Sequence, residues 1–244
     1  MSALTVSRNR SRIPGKVDAV KRFVTSSSVW TPLSLPSCEM WLDVSQLTGL
    51  NDNDDCTTWT DYSGNARHAT GPVSFKPKYR TNIQNGKPVL RFDAVSSKMT
   101  GSYTSGSTFT MYLVEISSSG IAYARSVSNG DAGAGDCISI GVRTSGNNCY
   151  VDGLISSSKA SYGAHQCALT SNGSTKSYYV DGVAIATGVA NSSTLSVIGF
   201  GAANTTYAEP CGADLAEFIL YSSEHNSTDR ATVESYLRTK WGLP

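Results

Sequence analysis

Residues 41–92 decide the fold and read WLDVSQLTGLNDNDDCTTWTDYSGNARHATGPVSFKPKYRTNIQNGKPVLRF. A short apolar strand opens this stretch, an acidic turn follows, and a second strand, PVLRF, closes it. The Asn85-Gly86 step before the closing strand favours a tight turn. Residues 61–65, DYSGN, are rich in side chains that bond their own backbone or accept positive φ. The stretch therefore predicts β structure held by shaped turns, and it contains nothing arranged like a catalytic centre.

The rest of the chain continues the pattern of short apolar strands separated by turn residues. Residues 109–116, FTMYLVEI, form the strongest strand, and because both of its faces are apolar we expect it at the centre of a sheet. The Asp181-Gly182 step between two strand patterns predicts a hairpin. Strands recur about every ten residues, which favours an antiparallel sandwich over a parallel α/β sheet.

One helix is predicted, at the end of the chain. Asn226 is a good N-cap, Asp229 places an acid in the first turn, and Gly242 is a stop signal. Apolar residues recur between them at helical spacing. We expect this helix to pack its apolar side on the sandwich.

Length and composition fit a single all-β domain. The 244 residues can bury a full core, only 16% are charged, and 22 are glycine. The sequence has no run of about 18 apolar residues, so no membrane-spanning helix and no membrane contact are expected. The first residues lack the apolar segment of a secretory signal. We therefore expect the protein to be made and assembled in a host cytoplasm.

The amino terminus differs from the body in charge. Residues 1–22 hold six basic side chains against Asp18, whereas the remaining residues hold 14 basic and 18 acidic side chains. We interpret residues 1–37 as an anchoring arm and linker, and residues 38–244 as the folded domain. A basic arm on a mildly acidic body suggests docking to an acidic surface, with a merely solvated tail as the alternative. The predicted partner-binding residues are Arg8, Arg10, Arg12, Lys16, Lys21, Arg22, Phe23 and Trp30.

The chain shows no motif for a metal or cofactor. The six cysteines have no C-x2-C spacing, and only three histidines are present, so we predict free thiols, no metal site and no cofactor. Asp52, Asp54 and Asp55 carry oxygen ligands of the kind that calcium prefers. Their turn lacks the glycine and distal glutamate of an EF-hand, and we interpret it as a solvated turn.

Several segments together carry a family resemblance. WLDVSQLTGL, TTWTDYSGNARHAT and NGKPVLRFD resemble the opening of concanavalin A-like, laminin-G-like jelly-roll domains, SYYVDGVAIATG resembles their central hairpin, and LAEFILYSSEHNSTDRATVESYLRTKWGL resembles their closing strand and helix. The resemblance covers residues 38–243. It implies two antiparallel sheets packed face to face that bind carbohydrate or protein, in families common among bacterial surface and bacteriophage virion proteins. Some relatives are glycoside hydrolases with an E-x-D-x-x-E strand, which this sequence lacks.

The candidate polar sites all have structural alternatives. Asp61, Ser63, Asn65 and His68 could bind a ligand, but we expect them to lock a turn through hydrogen bonds to the backbone. His68, His165 and His225 are assigned to loops, and no G-x-S-x-G motif is present. Glu115 is the one acid expected to point inward, with no evident partner. Tyrosines in loops could stack on sugars, although we favour packing at the rim: Tyr103, Tyr123, Tyr162 and Tyr207.

The sequence therefore predicts an all-β jelly-roll sandwich with a C-terminal helix and no catalytic residues. The predicted function is a non-enzymatic virion protein, a bacteriophage capsid decoration protein anchored by its arm. Its expected partner is a major capsid protein or another virion protein within a larger symmetric assembly. The alternative is a carbohydrate-binding module of a tail fibre or adhesin, with cell-surface glycans as partners and binding residues that the sequence does not identify.

Overall fold

The computed structural model describes residues 29–103, 106–117, 126–129, 138–140, 142–143, 148–151, 154–156, 163–191, 194–195, 197–202 and 212–244. The chain divides into two units, Met1–Thr31 and Pro32–Pro244. Of the first unit, only residues 29–31 are among the described residues, and every element below belongs to the second.

The second unit is built almost entirely of strands. In chain order these are β1 (Cys38–Asp43), β2 (Thr58–Trp59), β3 (Ala69–Thr70), β4 (Lys78–Gln84), β5 (Lys87–Arg91), β6 (Met99–Ser102), β7 (Thr108–Ser117), β8 (Val127–Asn129), β9 (Ile138–Ile140), β10 (Val142–Arg143), β11 (Asn148–Val151), β12 (Leu154–Ser156), β13 (Gly163–Asn172), β14 (Thr175–Val180), β15 (Val183–Ala190), β16 (Val197–Phe200) and β17 (Ala213–Tyr221). Short 3-10 helices lie at Pro32–Ser34 and Val44–Gln46, and helix α1 covers Ser227–Trp241. No helix in the described part of the chain has the length and apolar character needed to span a bilayer.

Two antiparallel sheets form the sandwich. The larger has eight strands in the order β15-β14-β13-β7-β17-β5-β4, with β1 pairing the second half of β17 beside β5. The smaller has the order β2-β3-β6-β16-β8-β9, and β10, β11 and β12 form a separate three-stranded sheet. The predicted all-β sandwich with a C-terminal helix is confirmed.

Strand β7 has the central place that its sequence predicts. It lies between β13 and β17, paired in register along nearly its whole length. Phe109, Met111 and Leu113 face the core, and the alternate residues Tyr112 and Val114 are also buried. Both faces of a central strand are covered in this way when one packs on a second sheet and the other lies beneath a helix.

The hydrophobic core lies between the two sheets. Its largest buried side chains come from both layers, and Trp59 packs edge-on against Phe200, which in turn packs edge-on against Phe218. Met40, Leu42, Leu90, Met99, Leu169, Tyr178, Ile198, Leu215 and Leu220 belong to the same cluster.

Helix α1 covers the opposite face of the larger sheet. It begins after Asn226, whose side chain accepts hydrogen bonds from the amides of Thr228 and Asp229, and it ends at Gly242 in the left-handed conformation. Trp241 is fully buried, and its Nε1 donates to Glu217 of β17 across 2.6 Å. The predicted caps and the predicted packing of the helix on the sandwich are both confirmed.

Candidate functional site

An open groove of about 420 Å³ lies at one end of the sandwich. Four segments that are distant in sequence meet there: the start of β1, the loop after the 61–65 turn, residues 103 and 106–108 near the start of β7, and the residue after β17. The lining residues are Glu39, Arg67, Tyr103, Gly106, Ser107, Thr108 and Ser222. Its volume lies in the range of small-molecule binding clefts, about 300–1,000 Å³.

A chain of polar contacts crosses the groove. The Ser222 hydroxyl donates to Glu39 Oε1 at 2.9 Å, and Glu39 Oε2 lies 3.0 Å from Nη2 of Arg67. The Arg67 guanidinium then lies over the ring of Tyr103, 4.7 Å from its centroid. Because the guanidinium has an ion pair at one side and an aromatic face beneath it, its N–H groups are held in place before any ligand arrives.

The backbone that carries Arg67 is fixed by Asp61. One carboxylate oxygen of Asp61 accepts the Arg67 amide at 2.9 Å, and the other accepts the amides of Trp41 and Ser63 at 2.9 and 2.8 Å. The amide of Asp61 itself donates to Nδ1 of His68 at 3.0 Å. The interpretation of these polar residues as a turn lock agrees with the structure, and the lock also positions the groove's arginine.

The same turn is tied to the strand that carries Glu39. Nδ2 of Asn65 donates to the carbonyl of Glu39 at 3.1 Å, and the Ser63 hydroxyl donates to it at 3.2 Å. One turn therefore sets the position of both charged residues of the groove. Such preorganisation keeps the entropy cost of binding low.

The groove offers donors and acceptors but no net charge. The side chains of Arg67 and Glu39 are 29% and 24% exposed, so each presents part of its surface to a ligand. The guanidinium supplies donors only, the carboxylate supplies acceptors only, and the hydroxyls of Ser107, Thr108 and Ser222 can do either. This pattern fits a neutral molecule that carries several hydroxyl groups.

The acidic turn at 52–55 does not bring its carboxylates together. Asp52 accepts from Arg80 and from the Thr81 amide, and Asp55 pairs with Lys78 at 2.7 Å. These partners lower the pKa of both aspartates. Within the described ranges, no group of three or more histidine, cysteine or acidic residues is placed to hold a metal ion.

The larger sheet carries a polar pair, His165 and Asp181, that the sequence did not predict. His165 was assigned to a loop, and this was wrong: it lies in β13, buried, directly opposite Glu115 of β7. Nδ1 of His165 lies 2.7 Å from Oδ2 of Asp181 in the β14–β15 turn. Glu115 points inward as predicted, because it lies on the same face of β7 as Met111 and Leu113, which belong to the core. Strand β13 begins at Gly163, so His165 lies on the sheet and not in the loop before it.

The structure describes only two of the remaining predicted site residues, Trp30 and Tyr103. Of the arm residues, Trp30 is described and is partly buried, whereas Arg8, Arg10, Arg12, Lys16, Lys21, Arg22 and Phe23 lie outside the described residues. Tyr123, Tyr162 and Tyr207 also lie outside them. Tyr103 is 3% exposed and lies beneath Arg67, so it supports the groove from below, as rim packing predicts.

Two cysteines, Cys38 and Cys56, are not reactive groups. Both are thiols that form no disulfide bond. Burial raises the pKa of Cys38 to about 12, with the carboxylates of Asp61 and Glu39 adding to the rise, and burial raises the pKa of Cys56 to about 11. Both therefore stay protonated at neutral pH and act as small packing groups.

Comparison with known proteins gives matches at the level of structure. No protein-family model matches the sequence, and no curated protein matches it. The fold is similar to that of a GH54 α-L-arabinofuranosidase soaked with a cyclic sulfate inhibitor, with a TM-score of 0.63, 13% identity, and coverage of 84% of this chain and 63% of that chain. It is also similar to domain 4 of AbnA, a GH43 extracellular arabinanase from Geobacillus stearothermophilus, in complex with arabinotriose (TM-score 0.60, 12% identity, 81% and 98% coverage).

A third neighbour is the Trypanosoma rangeli sialidase in complex with sialic acid, with a TM-score of 0.54 and 16% identity. The match covers 84% of this chain and 33% of the sialidase. This chain therefore spans a third of the sialidase and under two thirds of the arabinofuranosidase. At these identities the likeness shows a shared fold.

These neighbours correct one prediction. The sequence predicted a protein that is not an enzyme, partly because the E-x-D-x-x-E strand is missing. That prediction is wrong, since glycoside hydrolases are among the chains that share this fold. The inference failed because a fold does not determine a function, so the absence of one family's motif does not exclude other activities.

Proposed function

We propose that this chain is a carbohydrate-binding domain of the concanavalin A-like type, and that it holds a neutral oligosaccharide in the groove at the end of the sandwich. The observation that carries the proposal is the fixed Ser222–Glu39–Arg67 chain of contacts across the groove. Arg67 and Glu39 place a rigid donor beside a rigid acceptor, and a pair of neighbouring sugar hydroxyls needs both.

The ligand class follows from the charge of the groove. Arg67 is neutralised by Glu39 at 3.0 Å, so the groove has no excess positive charge to attract an acidic sugar. A neutral sugar replaces the water hydrogen bonds of both groups without leaving either charge unpaired. Leaving a polar group without a hydrogen-bond partner on binding costs about 1–3 kcal/mol, and more when the group is charged, so a ligand that matches both groups avoids this cost.

The structural neighbours support this proposal. The arabinanase domain, which matches this chain over 98% of its own length, is described in complex with arabinotriose. A matching fold of matching length makes oligosaccharide binding a reasonable function for this chain.

Isothermal titration of the full chain tests the proposal. A panel of neutral oligosaccharides that includes arabinotriose should contain at least one ligand that binds saturably. Arg67→Ala should weaken that binding by about 10- to 100-fold, because hydrogen bonds to a charged group contribute about 1.5–3 kcal/mol.

Arg80→Ala is the matched control, since Arg80 also pairs with an acid, Asp52, but lies outside the groove. It should leave the affinity unchanged. The proposal fails if no sugar in the panel binds, or if the Arg67 variant binds the ligand as tightly as the unmodified chain.

The predicted role as a capsid decoration protein stays a prediction. It rests on the basic residues before residue 29, which lie outside the described part of the chain, and none of the structural neighbours reported above is a virion protein. The predicted partners and the virion location stay predictions for the same reason.

A further inference from the structure

The groove has a second group of lining residues, 106–108, at the start of β7. The carbonyl of Ser107 accepts a hydrogen bond from the Ser171 hydroxyl at 2.7 Å and from Nδ2 of Asn191 at 3.3 Å. Ser171 lies near the end of β13, and Asn191 directly follows β15. Because a carbonyl oxygen has two lone pairs, both are occupied by residues that do not line the groove.

Asn191 and Ser171 also bond to each other, which closes a small network. Nδ2 of Asn191 donates to Oγ of Ser171 at 2.9 Å, and the amide of Gly173 donates to the same oxygen at 3.3 Å. The Ser171 hydroxyl therefore uses its one hydrogen and both of its lone pairs. The backbone amide of Asn191 donates to the carbonyl of Ser174 at 2.8 Å. A network in which these bonds are all made holds one geometry, so the Ser107 carbonyl has a fixed direction.

The hydroxyls of Ser107 and Thr108 lie beside the β13–β14 turn. A Cβ built on Gly173 would be 3.0 Å from Oγ of Ser107 and 3.3 Å from Oγ1 of Thr108, so both oxygens lie near one point. Gly173 has a φ of 94°, and because it has no side chain it leaves this space open. The two hydroxyls can therefore act as a pair, and each can donate to a ligand or accept from it.

We propose that Asn191 is a positioning residue for sugar binding: by fixing the Ser107 carbonyl, it orients the Ser107 and Thr108 hydroxyls toward the ligand. This inference rests on the carbohydrate-binding function proposed above. It gives the groove two contact regions, the hydroxyl pair and the chain of contacts through Arg67. A sugar whose hydroxyl groups reach both regions should bind more tightly than one whose hydroxyl groups reach a single region.

Isothermal titration of the full chain tests this role, with the tightest-binding sugar of the neutral panel as the probe and arabinotriose as the first sugar tried. Asn191→Asp replaces the Nδ2 donor by a carboxylate oxygen, which cannot donate to the Ser107 carbonyl at neutral pH. The variant should bind the sugar about 3- to 10-fold more weakly, the effect of losing one ordinary hydrogen bond. Ser171→Ala removes the other donor and should have an effect of the same size. It provides the same comparison if the aspartate variant does not fold.

A double-mutant cycle separates positioning from a general loss of stability. Ser107→Ala/Thr108→Val removes both hydroxyls with little change in shape, and it should itself weaken binding. In that background Asn191→Asp should cause no further loss, because the hydroxyls that Asn191 positions are gone. A purely structural role for Asn191 would instead lower the affinity by the same factor in both backgrounds.

Asn85→Asp is the matched control. Nδ2 of Asn85 also donates to a main-chain carbonyl, that of Lys240 in α1, at 3.0 Å, and Asn85 does not line the groove. The control makes the same substitution and removes the same kind of bond, so the affinity for the sugar should stay that of the unmodified chain. A fall as large as that in Asn191→Asp would show that the effect does not come from the groove, and would overturn the inference.

Three further results would also overturn it. The first is unchanged affinity in both Asn191→Asp and Ser171→Ala. If Arg67→Ala still weakens binding, this result rejects the positioning role alone and leaves the proposed function standing. The second is an equal loss in both backgrounds of the cycle, which would make the effect structural. The third is a panel in which no sugar binds, which would reject the proposed function and this inference together.

Discussion

Gly201 occupies a position that no other residue can fill without displacing the core. Its φ is 82°, and a Cβ added there would lie 2.0 Å from Cδ1 of Phe92. Phe92 is 2% exposed and belongs to the core cluster, so its ring cannot turn away. Gly201→Ala should lower the free energy of unfolding by about 3 kcal/mol, from backbone strain and overpacking together. Urea denaturation measures this change.

Gly188→Ala is the matched control for this effect. Gly188 also has positive φ, 67°, but no atom lies within 4 Å of its added Cβ. The variant should lose only the strain of the left-handed backbone, about 1–2 kcal/mol. Equal losses in the two variants would show that the contact with Phe92 is not the cause.

The sequence correctly predicted the backbone conformation of individual residues in two turns. Asn85 and Gly86 have φ of 50° and 72°, and Asp181 and Gly182 have φ of 50° and 78°, as the two predicted turns require. These two predictions succeeded because the positive φ angles of a tight turn depend on the two residues of the turn themselves. His165 was misassigned because its place on the inner face depends on where β13 begins, and partner strands decide that.

At the scale of elements, helix α1 is attached to the sheet through a buried carboxylate. Glu217 accepts hydrogen bonds from Trp41 Nε1 at 2.7 Å, Tyr236 at 2.9 Å and Trp241 Nε1 at 2.6 Å. Nζ of Lys240 lies 2.8 Å from it. Burial raises the pKa of Glu217, the nearby Asp43 raises it further, and Lys240 opposes both.

Lys240→Met should destabilise the fold because it removes the cation from this cluster. Both Glu217 and Asp43, which Lys240 also contacts, would then lack their buried counter-charge. The expected loss in the free energy of unfolding is about 3–5 kcal/mol at neutral pH, the usual cost of breaking a buried ion pair. Chemical denaturation at several pH values measures it.

The loss should shrink as the pH falls. A buried carboxyl with a raised pKa binds its proton more readily in the folded chain than in the unfolded chain, so acid favours the folded state. Lys87→Met is the control. Lys87 is half-buried on β5 and forms no ion pair with any residue that the structure describes. The Lys87→Met variant should therefore lose little free energy of unfolding, and the loss should not change with pH. A pH-independent loss in the Lys240 variant would contradict the role given to Glu217.

Helices and strands were predicted correctly where their own residues carry the sequence pattern that identifies them. The helix was predicted from its own caps, Asn226 and Gly242, and β7 from its own apolar faces. Strand β4 was missed because KYRTNIQ has exposed polar residues on an edge, and no apolar alternation marks it. The apolar pattern of a strand therefore reflects how much of the strand is buried. Edge strands are more exposed and show a weaker pattern.

At the scale of the molecule, the fold could be predicted from the sequence and the groove could not. The fold follows from many local signals that agree with one another. The groove depends on Glu39, Arg67 and Ser222, which meet only because β1 pairs antiparallel with β17 and places Cys38 opposite Tyr221. No local pattern contains that contact, so the prediction turned to the arm and the loop tyrosines instead.

The folded body should be stable without the residues that precede it. Residues 32–244 form one unit that contains both sheets, α1, the core and every residue of the groove. A chain that starts at Val29 should therefore keep its thermal midpoint to within about 2 °C, since 1 kcal/mol shifts the midpoint of a domain this size by about 2–4 °C. It should also bind the same oligosaccharide with the same affinity. Differential scanning calorimetry and titration of both chains measure the two quantities, with Arg67→Ala in the shortened chain as the control for binding at the groove. A large fall in the midpoint would assign residues 1–28 to the folded domain. A loss of affinity at an unchanged midpoint would place part of the binding site in the arm.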